Sequence, residues 1–214
     1  MTVRNFTLLD SLIVEADKAI KTLFGRPETT ARPVPSSELS EQALSSQEQQ
    51  YSTRLMRVNH SGEVSAQALY QGQALTAKLP RVRQAMEQAA IEENDHLVWC
   101  EQRIKELDGH TSFLNPLWYV GSFVIGAAAG KIGDQWSLGF VAETEKQVVK
   151  HLDEHLDSIS ENDQKSRAIL EQMKIDELHH GTVALEAGGA VLPKPVKLAM
   201  GAMSKVMTKS SYWI

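Results

Sequence analysis

The sequence predicts an all-α protein whose centre is a four-helix bundle. Long stretches rich in Ala, Leu, Glu, Gln and Lys, with few β-branched runs, favour helices. One unit occurs twice: a helical segment with an inward-facing Glu, a turn, and a helical segment with an inward-facing Glu-x-x-His. Glu63 precedes Glu93 by 30 residues, and Glu145 precedes Glu177 by 32. With 214 residues, the chain is long enough for a sizeable core.

The first 46 residues are predicted to be an appendage. Residues 5–24 have an amphipathic helical pattern, and its apolar side comprises Leu8, Leu9, Leu12, Ile13, Ala16, Ile20 and Leu23. Prolines, serines and threonines interrupt any period between residues 25 and 46, which predicts a linker. We therefore divide the chain into an N-terminal helix and linker, residues 1–46, and a main domain, residues 47–214.

Four core helices are predicted in two antiparallel pairs. The first pair covers about residues 47–78 and 80–107, and the second covers about 134–160 and 164–186. Pro80 starts the second of these helices, because proline is favoured in a first helical turn. Gly62 lies inside the first helix, where glycine costs about 1 kcal/mol relative to alanine. We expect another element to approach closely there.

Two further helices are predicted outside the bundle. Residues 113–130 carry no charge, but the run is short for a membrane span, which needs about 20 predominantly apolar residues. We interpret it as a buried connecting helix. The tail, residues 196–214, has Lys197, Lys205 and Lys209 and no acidic residue. It is either a basic amphipathic helix on an anionic membrane surface or a surface helix docked on the core.

Each Glu-x-x-His motif interrupts an apolar helical stripe. Residues three apart lie on the same face of a helix, so Glu93 with His96, and Glu177 with His180, point towards the core. Glu63 and Glu145 lie in the predicted first and third core helices, and Glu145 also interrupts an apolar stripe. A buried ionised Glu is costly unless its charge is compensated. A metal cation would supply that compensation.

This ligand set is the one found in ferritin-like carboxylate di-metal proteins: a Glu on each of two helices and Glu-x-x-His on the other two. Four carboxylates neutralise two divalent ions, and mixed oxygen and nitrogen ligands suit iron or manganese. The alternative is four interfacial glutamates paired with Lys or Arg. No Lys or Arg occupies an obvious inward position beside these glutamates.

The composition excludes other classes of function. A net charge of -5 gives no reason to expect a nucleic acid partner. Cys100 is the single cysteine, so an internal disulfide is excluded and a reducing compartment is favoured. Asp10, Glu15 and Asp17 interrupt the N-terminal apolar pattern, so we expect neither a secretory signal nor a transit peptide.

Four stretches of the chain together resemble a known family. They are Arg57-Val58-Asn59-His60-Ser61-Gly62-Glu63, Glu93 with His96, Glu145 with His151, and Asp176-Glu177-Leu178-His179-His180. From about residue 48 to the C-terminus, the chain resembles the di-iron demethoxyubiquinone hydroxylases of ubiquinone biosynthesis. The N-terminal helix and linker look like the longer bacterial form.

The resemblance implies a role for each matching residue. Glu63 and Glu145 would each bind one of two iron ions, Glu93 and Glu177 would bridge them, and His96 and His180 would each bind one. Glu143 lies two residues before Glu145, so that register is open, although the apolar stripe favours Glu145.

His151 would lie about 120° from the metal face of an ideal helix. The resemblance suggests a proton or electron relay for His151, in a second shell or a substrate channel. The alternative is a surface histidine near Asp153 and Glu154.

The implied activity is an O₂-dependent monooxygenation of the demethoxyubiquinone or demethoxyubiquinol ring. The polyprenylated substrate implies a peripheral protein on the membrane surface, at the cytoplasmic face of the bacterial inner membrane. No Gly-x-Gly-x-x-Gly fingerprint is present, so electrons would come from a partner, a bound reductant or the quinol.

Several alternatives stay open. An accessory protein that presents the substrate and a homo-oligomer are both compatible with the sequence. The alternative functions are a ferritin-like ferroxidase or iron store, a manganese catalase or another di-metal oxygenase, and a purely structural bundle.

Overall fold

The computed structural model describes residues 8–40 and 43–214, and within these ranges it contains seven α-helices and no strand. The all-α prediction is confirmed. Residues 5–7 of the predicted N-terminal helix, and the side chains of Leu8, Leu9 and Leu12, lie outside the described part. The helices are α1 Leu8–Phe24, α2 Ser46–Thr76, α3 Pro80–Glu106, α4 Asn115–Ile132, α5 Asp134–Ser158, α6 Gln164–Glu186 and α7 Lys194–Ser211.

Helices α2, α3, α5 and α6 form the bundle, and their bounds lie within two residues of the prediction. α2 packs on α3, α5 packs on α6, and contacts between α3 and α6 and between α2 and α5 close the bundle. α4 lies in the connection between the two helix pairs and packs along α2. A ferritin-like bundle has one such long crossover.

Local sequence signals fix the ends of the bundle helices. Ser45 and Glu48 form a reciprocal capping box at the start of α2, which satisfies free backbone N–H groups. The Asp134 carboxylate accepts hydrogen bonds from the backbone N–H groups of Lys78 and Leu79, at 3.0 and 2.8 Å. Because Asp134 is the first residue of α5, this contact ties the α2–α3 turn to the second helix pair.

Glycines let α2 and α4 approach at backbone distance. A Cβ atom added at Gly126 of α4 would meet the backbone carbonyl of Leu69, and one added at Gly72 of α2 would meet the backbone of Phe123 and Ala127. Glycine leaves room where two backbones meet. The expectation at Gly62 was wrong, because a Cβ added there meets nothing within 4 Å.

The outer helices expose more apolar surface than the sequence analysis predicted. α4 is buried on one face only, and Leu117, Val120 and Val124 on its other face are each about 60% exposed. In α1, Leu23 packs against the core, whereas Ile13 and Ile20 are exposed. In the two described ranges of the chain, no helix is long and apolar enough to cross a membrane.

The packing of α2 on α4 generates a stability prediction. Gly126→Ala should lower the free energy of unfolding by about 1–3 kcal/mol, because the new methyl group meets backbone that cannot rotate away. Urea denaturation followed by circular dichroism measures the change.

Gly121→Ala is the matched control in the same helix. A Cβ at Gly121 meets nothing within 4 Å, so this change should raise stability by up to about 1 kcal/mol through helix propensity. Equal effects of the two substitutions would contradict the close α2–α4 approach.

Candidate metal centre

Four of the six predicted ligands converge in the middle of the bundle. Glu63 on α2, Glu93 and His96 on α3 and Glu177 on α6 are buried, and each offers a ligand atom within 4.8 Å of the others. His96 Nδ1 lies 3.1 Å from Glu93 Oε2, 3.2 Å from Glu177 Oε1 and 3.7 Å from Glu63 Oε2. The two helix pairs therefore contribute to one polar cluster.

The other two predicted ligands adjoin this cluster. His180 Nδ1 lies 3.1 Å from Glu93 Oε1 and 3.2 Å from Glu177 Oε2. Glu145 on α5 is buried and accepts a hydrogen bond from the hydroxyl of Tyr70 on α2. Each histidine thus directs Nδ1 at Glu93 and Glu177, the two residues shared by both halves of the cluster.

The carboxylates of the cluster are poorly compensated by the protein. Glu63 Oε2 is a buried oxygen without a hydrogen-bond partner among the described residues, and the nearest nitrogen to the buried Glu93 Oε1 is His180 Nδ1 at 3.1 Å. Burial raises the pKa of Glu63 well above its ordinary value, and the neighbouring charge of Glu93 adds to the shift. Burial, with the charge of Glu177, likewise raises the pKa of Glu145. Unsatisfied acceptors of this kind fit a bound cation.

The cluster carboxylates favour the charged form of both histidines. Burial disfavours imidazolium, but hydrogen bonds to Asp176 and Glu177 raise the pKa of His96 well above its ordinary value. Burial likewise opposes the charge on His180, and hydrogen bonds to Glu177 and Glu93 raise its pKa to about 12. Metal binding must displace these protons, because a ligating imidazole is neutral.

A carboxylate from the opposite motif holds the outer nitrogen of each histidine. His96 Nε2 lies 2.8 Å from Asp176 Oδ2, and His180 Nε2 lies 2.7 Å from Glu92 Oε2. Asp176 directly precedes the ligand Glu177, and Glu92 directly precedes Glu93. Such partners fix the ring orientation and the tautomer of a metal-ligating histidine.

The same symmetry extends one helical turn further. Gln88 donates to Glu92 Oε1 at 2.9 Å, and Gln172 donates to Asp176 Oδ1 at 2.9 Å. Both helices therefore contain Gln-x-x-x-acid-Glu-x-x-His. Only the last four positions of this pattern carried the metal-site prediction. The roles of the glutamine and the first acid were missed, although both residues repeat visibly in the sequence.

An apolar shell surrounds the cluster on one side. Trp99, Cys100 and Met173 are buried in one hydrophobic cluster between the helices, and Cys100 Sγ lies 3.7 Å from Met173 Sδ. Burial raises the pKa of the Cys100 thiol well above its ordinary value. Cys100 is therefore a neutral packing residue.

Glu143 and His151 lie away from the cluster. Glu143 Oε2 pairs with Lys197 Nζ of α7 at 2.9 Å, whereas Glu145 is the α5 carboxylate close to Glu177 and Glu93. His151 Nδ1 lies 3.8 Å from Glu154 Oε2, and its ring contacts that of His155 at 4.1 Å between centroids. His151 thus has the acidic neighbour Glu154 of the surface interpretation, and its relay role stays a prediction.

The chain is similar to known proteins over most or all of its length. Residues 50–211 match the family described as "Ubiquinone biosynthesis protein COQ7". The chain is 63% identical over 214 residues to a protein of Nitrosococcus oceani named 3-demethoxyubiquinol 3-hydroxylase, covering 100% of both chains. It is 58% identical over 213 residues to one of that name from Pseudomonas fluorescens, covering 100% of this chain and 99% of the relative. A relative of that name from Nitrosomonas europaea is 56% identical over 206 residues, covering 96% of this chain and 99% of the relative.

The geometry generates a metal-binding prediction. Glu177→Gln should lower the iron content per chain to less than about half of the wild-type value after anaerobic Fe(II) loading and desalting, because one oxygen of the shared carboxylate is lost. Metal analysis by mass spectrometry measures the content. Glu171→Gln, an exposed change on the same helix, should leave it unchanged. Equal iron content in wild type and Glu177→Gln would argue against the cluster as the binding site.

Proposed function

Because the chain belongs to the COQ7 family of ubiquinone biosynthesis proteins, we propose that it is a 3-demethoxyubiquinol 3-hydroxylase that inserts one atom of O₂ into the ring of its substrate. The observation that carries the proposal is the buried cluster of Glu63, Glu93, His96 and Glu177, in a chain related over its full length to proteins of that name. The ferroxidase and iron-storage alternative shares the ligand set but lacks support from these relatives.

The cofactor is a metal, and we propose two iron ions held by Glu63, Glu93, His96, Glu145, Glu177 and His180. Four carboxylates and two imidazoles favour iron or manganese over metals that prefer thiolates. Two divalent ions would also balance four carboxylate charges at a site where a buried oxygen lacks a partner. When bound and reduced, this centre supplies the redox chemistry that activates O₂.

Neighbouring residues would hold the metal-binding side chains in the correct orientation. Asp176 and Glu92 accept hydrogen bonds from His96 Nε2 and His180 Nε2, which leaves each Nδ1 free to bind metal. The Tyr70 hydroxyl holds one oxygen of Glu145. Burial and the nearby Glu145 charge raise the pKa of Tyr70 well above its ordinary value, so this hydroxyl stays a hydrogen-bond donor.

A polar chain on α5 and α2 supports a relay role for His151. His151 contacts His155, and His155 Nδ1 lies 3.0 Å from Asn59 Oδ1. Asn59 stands one helical turn before Glu63 on the same face of α2. Burial, together with the charge of His151, lowers the pKa of His155 to about 3, so the ring is neutral and offers one nitrogen as a hydrogen-bond donor and the other as an acceptor. We assign proton transfer between solvent and the centre to this path.

The polyprenyl tail of the substrate requires contact with a membrane, and the outer helices offer the surface. Met203, Val206 and Trp213 of α7 and the segment after it are exposed, beside exposed Lys205 and Lys209. Trp118 of α4 donates a hydrogen bond to Ser211 Oγ at 3.0 Å, which fixes the end of α7 to α4. Apolar side chains interleaved with lysines favour an anionic lipid surface.

The proposed location is therefore peripheral, at the cytoplasmic face of the bacterial inner membrane. An electron donor, an accessory protein that presents the quinol, and a second copy of the chain belong to the same proposal.

A labelled-oxygen experiment tests the activity. The Fe(II)-loaded protein, given a short-chain demethoxyubiquinol and a chemical reductant, should convert it under ¹⁸O₂ to a product that carries one added ¹⁸O atom. The second oxygen atom leaves as water after uptake of two electrons and two protons. Mass spectrometry of the quinone measures the label, and Glu177→Gln should abolish it while Glu171→Gln retains it. Oxidation of iron without labelled product, with reductant present, would favour the ferroxidase.

A vesicle-binding experiment tests the membrane surface. Changing Met203 and Val206 together to Asp should weaken binding to anionic vesicles at least about tenfold, because two side chains that would each gain about 1.5–3 kcal/mol on burial become charged. Co-sedimentation measures the bound fraction. The matched control changes Ile175 and Leu178, two exposed apolar residues of α6, and should have little effect. Equal losses in both double variants would refute α7 as the membrane contact.

A further inference from the structure

The linker between α1 and α2 is attached to the bundle at the outer end of the metal centre. Thr30 donates its backbone N–H to Asp95 Oδ1 at 2.9 Å, and its hydroxyl also contacts the Asp95 carboxylate. Asn94 Nδ2 donates to the carbonyl of Glu28 at 2.6 Å. Residues 28–32, which we call the strap, thus lie on the stretch of α3 that carries Glu93 and His96.

Arg32 joins the strap to both Glu-x-x-His helices. Its Nε donates to Asp95 Oδ2 on α3 at 2.7 Å, and its Nη1 donates to Asp176 Oδ2 on α6 at 2.8 Å. The guanidinium also lies 5.0 Å from the centre of the Trp99 ring, a cation–π contact. A single side chain therefore fastens α3 to α6 directly outside the cluster.

The oxygen that Arg32 holds is the oxygen that orients a metal ligand. Asp176 Oδ2 accepts from Arg32 and also lies 2.8 Å from His96 Nε2. The contacts run without a gap from Arg32 through Asp176 to His96, whose Nδ1 faces Glu63, Glu93 and Glu177. Charge-assisted hydrogen bonds from a planar guanidinium fix the plane of a carboxylate more firmly than neutral ones.

The other histidine has no equivalent clamp among its described hydrogen bonds. Glu92, which orients His180, accepts hydrogen bonds from Gln88 and His180, and its side chain is 32% exposed against 14% for Asp176. The two motifs share their pattern from the glutamine to the histidine, so the Arg32 contact is one feature that makes the two halves of the centre unequal.

We propose that Arg32 is a positioning residue of the metal centre: through Asp176 it fixes the His96 ring, and so tightens one of the two metal positions relative to the other. The inference rests on the metal centre of the proposed function. The strap lies outside residues 50–211, the stretch that matches the family. The contacts of the strap with α3 and α6 therefore extend the support of the proposed centre beyond that stretch.

An anaerobic Fe(II) titration tests the role of Arg32. Arg32→Met should weaken one of the two iron sites about tenfold, the lower end of the range for residues behind a ligand, and leave the other within about twofold. Near-infrared magnetic circular dichroism should show shifted ligand-field bands for one ion only. Arg26→Met, an exposed arginine of the same segment, is the matched control and should change neither. Arg32→Lys, which keeps the charge but not the two-pronged contact, should give an intermediate loss.

A double-mutant cycle separates positioning from a general loss of structure. Asp176→Asn should weaken the same site more than Arg32→Met does, and the two changes together should be no worse than Asp176→Asn alone, because Arg32 acts through Asp176. Independent losses that multiply, or equal weakening of both sites by Arg32→Met, would overturn the inference. If wild type binds two ions and Arg32→Met has the same affinity at both sites, the positioning role of Arg32 is refuted while the proposed function stands. If wild type binds no iron, the proposed function itself fails.

Discussion

The burial of four glutamates at one place is the constraint on which the rest of this structure depends. Glu63, Glu93, Glu145 and Glu177 come from four different helices, and all are at most 3% exposed. Carboxylates so placed repel one another and lack water, so they demand compensation that a hydrophobic core cannot give. Hydrogen bonds to the carboxylates raise the pKa of His96 and His180, and two divalent ions would balance the charge more completely. The helix pairs, the turns and the capping contacts keep these four residues in register.

Around that cluster, the structure is organised in successive layers of hydrogen bonds. Each ligand histidine is held by an acid of the opposite motif, and each acid is held by a glutamine one turn earlier on its own helix. This cross-pairing means that neither helix pair completes its own half of the centre. Each imidazole is therefore oriented by a residue of the opposite helix pair, and this orientation depends on the packing of α3 against α6.

The sequence predicted the bundle and its inward-facing residues because both follow from short-range periodicity. Spacing of three residues places Glu93 with His96 on one face, and no tertiary information is needed. Asp176 and Glu92 could have been found from the repeated motif. Arg32 could not, because its partners stand 63 and 144 residues away and a proline-interrupted stretch has no period that would reveal which side chain turns inward.

The sequence predicted wrongly which helix faces are buried where the neighbouring helix, and not the periodicity, decides the burial. Gly62 was expected to meet another element, yet Gly72, ten residues on, is where α4 approaches α2. Ile13 and Ile20 belonged to the predicted apolar side of α1 but face outwards. In each case the local pattern was read correctly as helix, and the choice of face depended on a neighbour far along the chain.

The contact between α2 and α4 has a mechanical consequence. Where side chains separate two helices, changes of rotamer can accommodate small displacements. At Gly72 and Gly126 the two backbones are in direct contact, and no side chain lies between them. The outer face of α4 carries exposed Leu117, Val120 and Val124, and the helix behind it carries Glu63. A displacement of α4 at these positions therefore has to move the backbone of α2, the helix that carries Glu63.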